Sequence, residues 1–294
     1  MDPTLKPRLV AALKDEIAHL APQLRAAAKY VIDHPLEFGL DPIRETARKA
    51  QVSTYTLVKI AKTMGFESYE AFRAPFRQAL LSTAHEAEHL VWLDETRATG
   101  DTGRVFADAA DNALSIVQRS LQRQDLAALE RAVETLLAAD RVFLTAMRAS
   151  YAMAYYLHYV GRMALPSLEL IPRHMNSAID DLNDAAPNDA LIAISITPYS
   201  RETIEACVYA QRKGLKLVMI SDSEVVAPEL SPEHTLVANV LSSHHFACYS
   251  GMTALLETLV ALLMDRGGQG AMARIRSYET LRLENNAYWL AKKT

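Results

Sequence analysis

At 294 residues the chain is longer than one average domain, and a composition that is 50% hydrophobic and 22% charged is that of an ordinary globular protein, with two domains expected. Cys207 and Cys248, the two cysteines, both stand in apolar surroundings, which excludes a disulfide framework or a cysteine zinc site and fits a reducing cytoplasm. The first residues lack an apolar signal core, and the longest apolar stretch, Leu255 to Met264, is interrupted by Glu257 and too short to span a bilayer, so a soluble, non-exported protein is expected.

The formal net charge of −4 hides an asymmetry. Residues 1–80 carry 12 Lys/Arg against 9 Asp/Glu, whereas residues 81–294 carry 19 against 26, which hints that the N-terminal part meets a polyanion. In that part, Leu20 to Ile32 has apolar residues at helical spacing, and Asp33-His34-Pro35 stops the helix because proline disfavours helix at the residue before it. A short helix follows at about Asp41 to Ala50. Another is bracketed by Ser53 as N-cap and Gly65 as C-cap.

Two short helices across a tight turn fit the helix-turn-helix template. Ala47 supplies the small residue of the first helix, Val52 the apolar turn residue, and Leu57 and Ile60 the buried side of the second helix. Gln51 stands where the template has a turn glycine. This leaves Ser53, Thr54, Tyr55, Thr56 and Lys59 on the expected outward face, where hydroxyls and a cation hold phosphates and touch base edges. A plain helical bundle packed against something else is the competing reading.

The run Val52 to Arg73 resembles the N-terminal domain of the RpiR family of bacterial transcriptional regulators, with its valine-serine pair opening the recognition helix, its Gly65-Phe66 step and its Phe72-Arg73 pair. Ala27 to Pro35 and Pro42 to Ala50 also resemble the first helices of that domain. The resemblance implies operator DNA as a partner.

Residues 81–104 read as a polar, acidic helical linker that ends in Gly100 and Gly103. Within it His85-Glu86-Ala87-Glu88-His89 satisfies a zinc-protease spacing. That chemistry also needs a third ligand and a walled cleft, so a solvated helix face is the expectation, with no metal and no cofactor.

From about Arg104 the pattern changes. Arg141 to Thr145, Ser167 to Ile171, Ala190 to Ser195, Leu215 to Ser221 and Thr235 to Ala238 are short and rich in branched apolar residues, with stretches of helical length at Tyr151 to Arg162, Ser200 to Lys213 and Ala247 to Arg266. Alternation of this kind predicts an α/β/α sandwich with a parallel sheet, which binds ligands beyond the carboxyl ends of its strands.

Two strand ends carry chemistry, Thr145 to Ser150 and Ser195 to Thr203. They resemble the Gly-x-Gly-x-Ser and Ser-x-Ser-Gly-x-Thr-x-Glu loops of the sugar isomerase (SIS) domain, the second half of RpiR regulators. Ser195, Thr197, Pro198, Ser200 and Glu202 fall in register with the second loop, and Ser242 to Glu257 resembles a later turn and helix of that domain. The resemblance implies domains at 1–80 and 105–285, a tail at 286–294, a regulator and not an enzyme, and a homodimer or homotetramer. A free-standing phosphosugar isomerase is the alternative.

In the SIS resemblance the hydroxyls, backbone N–H groups and a helix N-terminus converge where a sugar phosphate rests. Here Ala146 and Arg148 replace both glycines of the first loop, and Pro198, with no N–H, replaces the glycine of the second, so an altered pose is expected. Two readings stay open. In one, Ser150, Ser195, Thr197 and Ser200 hold a small anionic effector with Arg148 or Arg201; in the other, Ser200 caps a helix, Arg201 pairs with Glu205, and the pocket is vestigial. His244 and His245 are expected to be polar surface, Arg173-His174 follows a strand without an assigned role, and Tyr155 to Tyr159 packs on the sheet or on another subunit. Arg274 to Trp289 reads as an amphipathic helix whose apolar stripe suits a subunit interface.

Overall fold

A computed structural model describes residues 5–83 and 91–288, which leaves the His85–His89 motif and Trp289 outside the described residues. The chain divides into two compact units, Met1–Glu95 with Ser223–Pro228, and Thr96–Asp222 with Glu229–Thr294.

The first unit is all helical: α1 (Leu5–Glu16), α2 (Pro22–Asp33), α3 (Pro35–Leu40), α4 (Ile43–Lys49), α5 (Thr54–Thr63), α6 (Tyr69–Thr83) and the start of α7 (Val91–Arg97). Pro35 ends α2, as its sequence predicts, and also opens α3 at the first helical position, where a missing N–H costs nothing. The core is aromatic. Phe38 of α3 meets Phe72 and Phe76 of α6 edge-on at 5.3 and 4.9 Å, all three fully buried, and Thr46 Oγ1 lies 2.8 Å from Tyr69 Oη beneath them.

The second unit contains α8 (Asp101–Gln122), α9 (Leu126–Ala138), β1 (Val142–Ala146), α10 (Ser150–Gly161), β2 (Leu168–Ile171), α11 (Ala178–Asp181), β3 (Ala190–Ile194), α12 (Arg201–Arg212), β4 (Lys216–Ser221), β5 (His234–Val237), α13 (Ser250–Arg266) and α14 (Gly268–Glu284). All neighbouring strands pair in parallel, in the order β2-β1-β3-β4-β5. Strand parity assigns the faces. Val142, Leu144, Ile192, Ile194, Val218 and Ile220 share one core cluster with Leu136 of α9, Leu157 of α10 and Leu259 of α13. On the opposite face α12 packs on β1, β3 and β4 and buries Ala206, Cys207 and Ala210. Both faces are covered, so the strands are continuous apolar runs with no alternation.

Close packing of α13 on α8 depends on Gly251. A Cβ there would stand 2.2 Å from Ser120 Oγ and 2.8 Å from Asn239 O. The Ser120 hydroxyl oxygen accepts from Asn239 N at 2.9 Å, tying α8 to the loop that follows β5. No described helix is long and apolar enough to cross a membrane.

Candidate functional site

The turn before α5 is built as the helix-turn-helix pattern requires, without its glycine. Gln51 adopts φ 54°, the left-handed conformation, and Val52 N donates to Ala47 O at 3.0 Å. Ser53 caps α5, its hydroxyl accepting from Thr56 N at 3.1 Å. Ala47, Leu57 and Ile60 are buried as expected. Ser53, Thr54, Tyr55 and Lys59 are exposed, Tyr55 by 73%.

Thr56 is a correction to the outward face read from the sequence. It is 8% exposed, and its Oγ1 lies 2.9 Å from Ser53 Oγ. The reason is helical geometry: Thr56 lies one turn before Ile60, so it belongs to the buried stripe of Leu57, Ile60 and Ala61.

In the second unit the strand order places a topological switch between β1 and β3. The connection from β1 runs through α10 on one face, and the connection from β3 runs through α12 on the other, which opens a crevice beyond the carboxyl ends of these strands. Ala146 pairs in register with Ile194, so the loops that follow, Met147–Ala149 and Ser195–Ser200, begin side by side. The two chemically loaded segments of the sequence therefore meet.

Arg148 keeps the backbone that a glycine would supply. Its φ is 55°, although its side chain is 76% exposed. Replacement of glycine by arginine thus preserves the left-handed bend and adds a cation at the crevice rim. Across the crevice, Pro198 follows a cis peptide bond from Thr197.

Ser150, Ser195 and Ser200 are all buried at the base of these loops. Ser195 Oγ accepts from Ser200 N at 3.4 Å, and Ser200 Oγ accepts from Thr203 N at 3.3 Å, capping α12. Arg201, 88% exposed, donates from Nε to Glu205 Oε1 at 2.7 Å along its own helix. The cap and the i,i+4 pair expected of a vestigial pocket are therefore both present. Arg148, in contrast, turns toward the first turn of α12, with Nη2 3.7 Å from Glu202 Oε1.

Two further residues complete the crevice that sequence reasoning missed. Asp222, just past β4, accepts Thr197 N at 3.2 and 3.3 Å on its two carboxylate oxygens. Tyr249, just before α13, places its hydroxyl 3.1 Å from Ser150 Oγ. Burial pushes the Tyr249 phenol above its ordinary range, and the Asp222 carboxylate adds to that shift, while the contact with Ser150 opposes it. An acid directly after a buried parallel strand is a signal that could have flagged Asp222; nothing in the spacing pointed to Tyr249. Among the described residues of the second unit, two buried hydroxyls have no hydrogen-bond partner, Thr145 Oγ1 near the end of β1 and Thr203 Oγ1 in the first turn of α12.

The remaining polar candidates serve their own loops. Asp181 accepts Arg173 N at 2.6 Å and Asn176 Nδ2 at 3.2 Å, and the Arg173 guanidinium also pairs with Glu169 at 3.3 Å. His244 Nδ1 accepts from Phe246 N at 3.2 Å, and His245 meets Phe246 edge-on. Both histidines are exposed. On α10 and α14, Arg282 lies over the Tyr278 ring at 4.2 Å and donates to Tyr159 Oη at 2.9 Å, beside the exposed Tyr151 and Tyr155. Among the described residues no group of His, Cys, Asp or Glu could hold a metal ion.

Residues 135–265 match the SIS domain family. The RpiR transcription factor of Sphaerobacter thermophilus, solved as its sugar isomerase domain, is 25% identical with a TM-score of 0.55, over 58% of this chain and 96% of that one. Vibrio vulnificus NanR complexed with ManNAc-6P is 21% identical with a TM-score of 0.56, over 94% of this chain and 98% of that one, a likeness of fold. The Bifunctional protein glk of Burkholderia orbicola is 24% identical over 250 residues, which is 83% of this chain and 36% of the relative; the chain spans about a third of the length of such relatives. The chain thus carries a match to the SIS domain family over residues 135–265, behind an N-terminal helical unit whose turn before α5 has helix-turn-helix geometry.

Proposed function

We propose that this chain is a sequence-specific DNA-binding regulator whose SIS domain senses a small anionic effector, a phosphosugar first among the candidates. The observation that carries the reading is the switch-point crevice: three buried serine hydroxyls, the N-termini of α10 and α12 and the Arg148 guanidinium all converge where β1 and β3 end. Such a set of donors suits a phosphate or carboxylate. Ser150, Ser195, Thr197, Ser200 and Arg148 hold the anion, and Arg201 joins them by leaving Glu205. In the first unit, Ser53, Thr54, Tyr55 and Lys59 meet the operator.

Effector and operator are coupled through differential affinity for two states of the protein, the requirement for any such switch. NanR, complexed with ManNAc-6P, supports phosphorylated amino sugars as the first ligands to try. Genomic footprinting, followed by calorimetric titration with a panel of sugar phosphates and small carboxylic acids, tests the reading. A discrete operator and at least one ligand whose binding is lost in Ser195→Ala are expected. Absence of any protected DNA site, or conversion of a sugar phosphate to an isomer, overturns it.

A further inference from the structure

The donors assigned to the effector already face carboxylates of the chain itself. Thr197 N donates to Asp222, Ser200 Oγ donates to Glu202 Oε2 at 2.7 Å, Arg148 pairs with Glu202, and Arg201 pairs with Glu205. Two guanidinium groups are thus set against three carboxylates. A bare dianion entering this arrangement gains nothing from net charge and must exchange with a group already in place.

Glu202 differs from the other two carboxylates in what it joins. One of its oxygens takes the hydroxyl of Ser200 in the β3–α12 loop, and the other faces Arg148 in the β1–α10 loop, so a single carboxylate bridges both sides of the crevice. Its side chain is half exposed, which lets it swing into solvent without breaking a packed core. The fully buried, unpartnered hydroxyls of Thr145 and Thr203 lie at the same end of the sheet and supply further polar groups there.

Resting on the anion-site reading above, we infer that Glu202 is a built-in competitor for the effector's anionic group, and that it sets the ligand class. A carboxylate ligand only reproduces the contacts that Glu202 already makes, so it displaces Glu202 without gain. A phosphate monoester brings about two charges and three acceptor oxygens, and therefore outcompetes it at Ser200 and Arg148 together. Ligands bearing a phosphate are selected over those bearing a carboxylate by a residue that need not touch the ligand once it has bound. The Glu202 carboxyl is held below the ordinary carboxylate range, first by its own backbone N–H and then by the Ser200 hydroxyl, so it is ionised at neutral pH.

The test uses the full chain with inorganic phosphate and acetate as probes, titrated by calorimetry. Wild type is expected to bind phosphate and to show no acetate binding; Glu202→Gln and Glu202→Ala should each bind phosphate about tenfold tighter, with acetate binding now detectable. Glu134→Gln is the charge-matched control: Glu134 is exposed on α9, next to Thr135, which bonds His234 at the start of β5, and this variant should match wild type. Equal or weaker phosphate binding in both Glu202 variants, with wild-type binding intact and lost in Ser195→Ala, overturns the competitor and leaves the anion site standing. Phosphate binding absent from wild type and both variants overturns the two together.

Discussion

Replacing Arg148 by glycine separates the cost of the crevice from its use. A non-glycine residue in the left-handed region costs about 1–2 kcal/mol, and glycine returns about 0.5–1 kcal/mol of that as added freedom of the unfolded chain. The Arg148 side chain is 76% exposed and its ion pair spans 3.7 Å, so solvent leaves that pair little weight in folding. Arg148→Gly should therefore raise the stability of the second unit by about 0.5–1 kcal/mol, roughly 1–4 °C in melting temperature for a unit of this size. Phosphate affinity should move the other way, falling roughly tenfold or more with the loss of a charge-assisted donor. Thermal melts with and without inorganic phosphate read both effects in one experiment. A lower melting temperature for the variant without ligand, or an undiminished phosphate shift, would refute the reasoning that strain is kept at this position for binding.

Other expectations concern the proposed operator face, the helix packing and pH. Lys59→Ala should weaken operator binding and reduce its salt slope by about one in anisotropy titrations, whereas Thr56→Val, which changes a buried hydroxyl, should leave the slope unchanged. Gly251→Ala should destabilise the second unit by about 1–3 kcal/mol in denaturant melts, because the new methyl group meets Ser120 and Asn239 at less than contact distance. Burial holds the imidazoles of His158 and His234 below their ordinary range, with Arg162 adding to the shift at His158. The unfolded chain then takes up protons before the folded one, so this stabilisation is full above about pH 6.5 and is lost as pH falls through the folded values. Melts between pH 7.5 and 5.5 should show that loss, and the double substitution His158→Gln with His234→Gln should flatten it. Burial pushes the Cys207 thiol up to about 12, so a thiol reagent should leave Cys207 unmodified until the protein unfolds.

Much of this architecture was legible because it rests on local chemistry. The five apolar runs became the five parallel strands, and Ser53 capped α5 as its position before Thr54-Tyr55-Thr56 implied. The register of Ser195, Thr197 and Ser200 led to one end of the sheet, since loops after parallel strands gather there. Three things were read incompletely. Thr56 was placed outward because the template's buried positions leave it over, although its spacing to Ile60 puts it on the buried stripe. Pro35 was read as a stop alone, although a proline also starts a helix well, as it does α3. The loss of glycine at Arg148 implied an altered ligand pose, and the sequence did not show that the backbone there is left-handed, at φ 55°. Asp222 and Tyr249 come from distant parts of the sequence, and only the strand order brings them to the crevice.

The central claim is that ligand binding in the SIS domain alters the grip of the N-terminal unit on DNA. The most direct measurement is operator affinity by fluorescence anisotropy, across a panel of sugar phosphates, for the wild-type chain and for Ser195→Ala. At least one sugar phosphate should change the wild-type dissociation constant severalfold and leave that of the Ser195→Ala chain unchanged. A wild-type operator affinity that no phosphorylated ligand shifts, or a shift that persists in Ser195→Ala, would contradict the account.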